Sequence, residues 1–322
     1  LDGREICRHA TTGADLSTVA VWRMPQPGRL GIGAWESETE FHSIEVRSVG
    51  EAPALVVGRA PAAAVAGTLP SGTAPASPAP LPAPGPAAGG APASAAGKRV
   101  VIVLANQDFY YREYGDPRLE LERAGVRVTV AAGRRGTCRP HPGSGQGADG
   151  GIVQAQLALS EVRAADFDAI LFSGGWGASA YQYAFEGRYS NALYNGERAI
   201  KVEANRVINE FLAAEKPVAA LCNGVSVLAW ARGNGQSPLR GKRVCAPVRE
   251  AAAGIYNGRQ AQPACRWHPE ANGAILSPPG AIGNPATNAD DVVVDGLIIT
   301  GEDDPSSREM GRVLVRVLGT PR

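Results

Sequence analysis

The sequence predicts an α/β fold: a doubly wound, mostly parallel sheet carrying a nucleophile elbow. Three observations carry this expectation. Apolar strand-like runs alternate with amphipathic helical stretches from residue 98 onward. The first run, Lys98 to Ala105, is continuously apolar, as expected of a strand covered on both faces. The segment Lys216-Pro-Val-Ala-Ala-Leu-Cys-Asn-Gly-Val-Ser-Val-Leu-Ala-Trp-Ala231 reads as a buried strand, a sharp turn and a helix, with Cys222 at the turn.

The elements follow in order. Tyr110 to Arg123 has a helical pattern that Asp116-Pro117 is expected to interrupt. Val126 to Ala132 is a second strand, set off by Ala124-Gly125, and Asp168 to Ser173 a third, ending in Gly174-Gly175. Gly196 to Glu215 places Ile200, Val207, Ile208, Phe211 and Leu212 on one helical face. Pro217 to Leu221 is the elbow strand, with its helix starting after Gly224. Lys242 to Ala246 and Val292 to Thr300 are further strands, the latter turning at Asp295-Gly296. Ser306 to Leu318 is a final helix, with Ser306 or Ser307 as N-cap.

Composition divides the 322 residues into three regions. Residues 1–52 hold strand-like runs (Ser17 to Met24, Arg29 to Trp35, Glu40 to Val49) separated by turns such as Pro25-Gln-Pro-Gly28. So short a stretch cannot bury a core of its own. It reads as the C-terminal strands of a truncated β-sandwich. Gly28-Arg-Leu-Gly-Ile-Gly-Ala-Trp35 followed by Phe41-His-Ser-Ile-Glu-Val46 resembles the end of a concanavalin-like sandwich, which implies carbohydrate contact. Residues 53–97 are Ala- and Pro-rich and almost uncharged after Arg59, the composition of a disordered linker. Residues 98–322 form the α/β domain.

The bulk properties exclude several functions. With 32 basic and 31 acidic residues the net charge is +1, which gives no reason to expect nucleic acid or an anionic membrane as partner. No apolar run approaches the roughly 18 residues of a membrane span. The chain starts at Leu1 in the middle of what reads as folded sequence, with neither initiator Met nor signal-peptide pattern, so the true N-terminus is expected upstream. Its Ala/Pro linker leans toward export. Five cysteines (Cys7, Cys138, Cys222, Cys245, Cys265) do not form a disulfide framework, though Cys245 and Cys265 could bridge. Cys265 and His268 have the spacing of a metal half-site, but no second pair accompanies them, so neither metal nor cofactor is expected.

Chemistry is expected at the C-terminal ends of the strands, where three loops converge. The elbow holds Cys222 at the N-terminus of the following helix, whose dipole lowers a thiol pKa. From the first loop, Asp108-Phe-Tyr-Tyr-Arg-Glu-Tyr114, Glu113 would approach the sulfur, with a raised pKa and a proton to donate or shuttle. Gly174 and Gly175, with the backbone of Asn223, would supply oxyanion-type amides, and Trp176 and Tyr110 would line the pocket. His141, in the Gly/Pro-rich stretch Gly133 to Gly151, is expected on a surface loop. His268, in Cys265-Arg-Trp-His-Pro-Glu270, belongs to an insertion that could fold over the pocket and bring a base to Cys222.

Residues 98–322 resemble the ThiJ/PfpI family, whose members include PfpI-type proteases, the parkinsonism-associated protein deglycase and stress chaperone-glyoxalases. The matching motifs are Val100 to Ala105, Glu113 eleven residues before Ala124-Gly125, Asp166-Phe-Asp-Ala-Ile-Leu-Phe-Ser-Gly-Gly175, Ala219-Ala-Leu-Cys-Asn-Gly-Val225 and Val293-Val-Asp-Gly-Leu-Ile-Ile-Thr300. The resemblance implies a flavodoxin-like, class I glutamine amidotransferase-like fold. It places the family's acidic residue and elbow cysteine at Glu113 and Cys222 and its oxyanion-type amides at Gly175 and Asn223. It further implies a small carbonyl or amide-type substrate, glyoxalase, deglycase or hydrolase activity, and a homodimer. The chain departs from the family at Asn223, where the protease and glyoxalase branches carry His. Peptidase activity is therefore less expected, and a non-catalytic redox- or ligand-sensing module is the alternative.

Overall fold

The computed structural model describes residues 94–144, 151–276 and 292–320. The proposed sandwich fragment and nearly all of the proposed linker lie outside the described residues.

A seven-stranded sheet forms the centre. Its strands in chain order are β1 (Arg99–Leu104), β2 (Arg127–Ala132), β3 (Leu157–Ala158), β4 (Ala169–Phe172), β5 (Val218–Leu221), β6 (Val292–Asp295) and β7 (Ile298–Gly301). The spatial order is β6-β7-β5-β4-β1-β2-β3, and every neighbouring pair is parallel except the β6–β7 hairpin. Five helices join or cover these strands: α1 (Arg112–Arg123), α2 (Arg198–Ala213), α3 (Gly224–Trp230), α4 (Trp267–Ala271) and α5 (Ser307–Gly319).

The alternation of side chains along a strand explains the apolar run in β1. Val100, Ile102 and Leu104 face one layer and pack with Leu121 of α1 and Met310 and Leu314 of α5. Val101 and Val103 face the other and pack with Val207, Ile208 and Phe211 of α2 and Val225 and Leu228 of α3. Both faces are therefore covered, the doubly wound arrangement expected from sequence. None of the described helices is long and apolar enough to cross a membrane.

Five local expectations change. Pro117 does not interrupt α1 but sits inside it. The roughly 3 kcal/mol that a mid-helix proline costs is opposed by burial of Tyr114, Pro117 and Leu121. The stretch after Gly133 is not wholly loop: Gly136–Pro140 pairs parallel with Gln107–Phe109 and antiparallel with Val153–Ala155. Lys242 to Ala246 shortens to Arg243–Val244 and pairs with Ile275–Leu276 outside the central sheet. Ser306 occupies the N-cap of α5, but its side chain makes no capping hydrogen bond. Cys245 and Cys265 do not form a disulfide: Cys245 donates to the Thr300 carbonyl at 2.9 Å and Cys265 to the Glu250 carbonyl at 3.6 Å.

Candidate active site

The C-terminal ends of β1, β4 and β5 lie side by side, so the loops that follow them meet at one edge of the sheet. The turn after β5 places Cys222 at φ +54°, a left-handed conformation that a side chain with a Cβ adopts only at a cost. The Cys222 amide donates to the Gly301 carbonyl of β7 at 3.0 Å, which pins the turn to the sheet. Helix α3 begins two residues later, at Gly224.

Glu113, on the first turn of α1, is 1% exposed, and its carboxyl is hydrogen-bonded to the Cys222 thiol, which is 8% exposed. Gly174 makes this approach possible. A Cβ there would overlap Glu113 Oε2 and would stand 2.7 Å from both the Cys222 Cβ and the Leu221 carbonyl. Gly175 turns the chain at φ +85° under the Asp108–Tyr110 backbone, where a side chain has no room.

Around the sulfur is a cavity of about 480 Å3 lined by Tyr110, Glu113, His141, Gly175, Trp176, Cys222, Val248, Arg249 and Glu250. The Trp176 indole donates to the Glu250 carbonyl at 3.3 Å, and Tyr110 donates to the Gly143 carbonyl at 3.3 Å. Arg249 bridges the carboxylates of Asp303 and Asp304, each at 2.8 Å.

The electrostatics correct one expectation. Burial pushes the Cys222 thiol well above its ordinary pKa, and the Glu113 charge adds to that, while Arg249 acts in the opposite sense. The lowered thiol pKa expected from the helix dipole is therefore not found: loss of solvent around the sulfur is the larger effect. Burial also raises Glu113 well above the ordinary carboxyl range, with Asp304 and Asp303 adding to the rise. A carboxyl is intrinsically about four units more acidic than a thiol. With both groups buried together, the first proton lost by the pair leaves the carboxyl, and the thiol then donates to the carboxylate. Glu113 Oε2 has no hydrogen-bond partner among the described residues.

The sequence-derived residues separate into three groups. Cys222, Glu113, Gly175, Trp176 and Tyr110 meet at the cavity. Gly174 and Asn223 lie behind its wall. Gly174 is packed beneath the dyad. The Asn223 side chain turns away, its amide donating to the Gly175 carbonyl at 3.1 Å and to Ser179 Oγ at 3.0 Å. It braces the turn after β4 instead of facing substrate. His268 is not at the site. It is 0% exposed on α4, where Nδ1 accepts from the Trp230 indole at 2.9 Å and the ring packs among Phe185, Tyr256 and Trp267. Burial lowers its pKa to about 3, so it is a neutral core histidine.

The histidine at the cavity is His141, which the sequence placed on a solvent-facing loop. Arg249, Val248 and Glu250 were also missed as lining residues. Only the short polar–apolar alternation of Thr137, Cys138 and Arg139 hints at the strand that carries His141 inward. The described residues contain no cluster of metal-ligating side chains.

No family model matches the chain. An uncharacterized protein of Methanocaldococcus jannaschii is 26% identical over 220 residues, covering 68% of this chain and 82% of that protein. An uncharacterized Staphylococcus aureus protein is 28% identical over 132 residues, 41% of this chain and 64% of that protein's length. Among solved structures, the Rapid Encystment Protein of Francisella tularensis aligns at a TM-score of 0.51 with 17% identity, covering 70% of this chain and all (100%) of that one. The ThiJ/PfpI domain protein from Brachyspira murdochii aligns at 0.49 with 23% identity, covering 70% and 98%. Other similar structures include Toxoplasma gondii DJ-1. The match to the Francisella protein shows a shared fold, an α/β domain built on a mostly parallel central sheet. A likeness at this level of identity concerns the fold alone.

Proposed function

We propose that the domain acts on a small carbonyl or amide-type compound through Cys222 as nucleophile and Glu113 as its proton acceptor. The observation that supports this most is the buried Glu113 carboxyl hydrogen-bonded to the elbow thiol at the floor of an open cavity. A carboxyl raised by burial is a stronger base than a free one, and it can take the thiol proton as the sulfur adds. That answers the missing histidine after Cys222, because the base need not be the next residue. Backbone amides near Gly175 and Asn223 are the groups proposed to meet the developing oxyanion. A cavity of about 480 Å3 is of a size for a small glyoxalase-, deglycase- or hydrolase-like substrate.

A second reading is favoured by one observation. Burial holds Cys222 protonated, and the Asn223 amide is committed to the Gly175–Ser179 turn, as suits a redox- or ligand-sensing module without turnover. The test is steady-state turnover of methylglyoxal and of short amides by wild type, Cys222→Ser and Glu113→Gln. Turnover lost in both variants supports the enzyme. No turnover in wild type, with a Cys222 that still oxidises selectively, supports the sensor.

A further inference from the structure

We propose that His141 is the residue that polarises the substrate carbonyl, acting as a neutral imidazole donor through Nε2–H. This rests on the reading of Cys222 as a carbonyl-directed nucleophile. His141 follows directly on the strand Gly136–Pro140, and that strand pairs with Gln107–Phe109, the segment leading into the loop of Tyr110 and Glu113. The histidine is held at both ends of its turn. Its amide donates to the Phe109 carbonyl at 2.8 Å, and its carbonyl accepts from the Ser144 amide at 3.0 Å. Its ring meets the Trp176 indole edge-on at 6.1 Å between centroids. Both rings line the Cys222 cavity.

The ring's hydrogen bond fixes its chemistry. Nδ1 accepts the Gly143 N–H at 3.1 Å. A nitrogen that accepts carries no proton, so the proton of the neutral ring resides on Nε2. Tyr110, by donating to the Gly143 carbonyl at 3.3 Å, steadies the same turn. Nε2–H has no partner among the described residues, so the donor is free to serve a ligand. A neutral imidazole that donates without giving up its proton can stabilise a forming oxyanion.

The step balances without a further reactant. The thiol proton of Cys222 passes to the Glu113 carboxylate as the sulfur–carbon bond forms. The carbonyl π pair moves onto oxygen, which accepts a hydrogen bond from His141 Nε2–H. Glu113 then returns its proton to that oxygen, giving the hemithioacetal. The substrate class is a small aldehyde or ketone with an apolar or aromatic body, which Trp176, Tyr110 and Val248 would flank.

Two reagents separate this role from simple packing. Methylglyoxal adds to the thiol through an oxyanion, whereas iodoacetamide alkylates it by displacing iodide without one. The rate of each reaction at Cys222 is read by mass spectrometry in wild type, His141→Phe and His141→Gln. His141→Phe keeps a ring against Trp176 but has no donor, and His141→Gln offers an N–H near the place of Nε2. Methylglyoxal addition is expected to fall by about a hundredfold in His141→Phe, to recover partly in His141→Gln, and iodoacetamide rates to stay within about twofold of wild type. Equal rates with both reagents in wild type and His141→Phe would overturn the proposal, and so would equal slowing of both. If wild-type Cys222 takes iodoacetamide but never methylglyoxal, the carbonyl reading itself fails and this role falls with it. A wild type that adds methylglyoxal while His141→Phe does so unimpaired removes His141 alone.

Discussion

The Cys222 cavity and the His268 cluster are built from similar parts and behave as opposites. Each holds a buried titratable side chain beside aromatic rings. At Cys222 the buried group has an acidic neighbour, Glu113, with which to exchange a proton, and it opens onto a cavity. Among the described residues the His268 ring's one hydrogen bond is with the Trp230 indole and its Nε2 has no partner, while Phe185, Tyr256 and Trp267 close around it. A perturbed pKa therefore marks both places, but only the first combines it with access and a proton partner. Burial alone produces a shifted group; chemistry also needs somewhere for the proton and the substrate to go.

The largest expected effect lies in turnover. Cys222→Ser should lower kcat/KM for a carbonyl substrate by roughly a thousandfold or more, while His268→Gln should leave it within about twofold. A large loss in His268→Gln with the fold intact by circular dichroism would erase the distinction between the two regions.

Stability comes next. Gly174→Ala places a Cβ against Glu113, Cys222 and the Leu221 carbonyl. Overpacking of this kind should cost about 3 kcal/mol in urea unfolding, because backbone as well as side chain must move. His268→Ala strands the Trp230 indole donor and should cost about 2 kcal/mol. If Gly174→Ala were neutral, the close packing of the dyad would be wrong.

The pH dependence of stability should separate the regions by sign. His268 has its folded pKa lowered from the ordinary value of about 6.5 to about 3. Folding favours its neutral form, so its contribution is complete above about pH 6.5 and is lost as pH falls toward 3. Glu113 has its folded pKa raised, so its contribution is complete below the ordinary carboxyl value of about 4.3 and is lost as pH rises through the folded value. Unfolding midpoints measured across pH should show His268→Gln flattening the acid limb and Glu113→Gln flattening the limb above it. A variant that changed the other's limb would break the assignment.

Legibility from sequence divided along the same line. The sheet, the elbow and the loops that meet there follow from local signals: continuous apolar strands, glycines at strand ends and an amphipathic α2. These signals act over a few residues and survive in one dimension. Which histidine lines the Cys222 cavity does not. His141 arrives through pairing of the short strand Gly136–Pro140 with Gln107–Phe109, a long-range register that no local pattern specifies. His268 sits in a five-residue helix whose burial depends on aromatics brought from Phe185, Trp230 and Tyr256. The raised thiol pKa was missed for a related reason, since the elbow motif shows the helix N-terminus but not the depth of burial.

The most direct test of the central claim, that Cys222 and Glu113 form one buried proton-sharing pair, is the pH dependence of Cys222 alkylation by iodoacetamide in wild type and Glu113→Gln. The account predicts a wild-type inflection above the ordinary thiol value of about 8.5, moving lower when the carboxyl charge is removed. An inflection below about 7 in wild type, or the same inflection in both proteins, would contradict it.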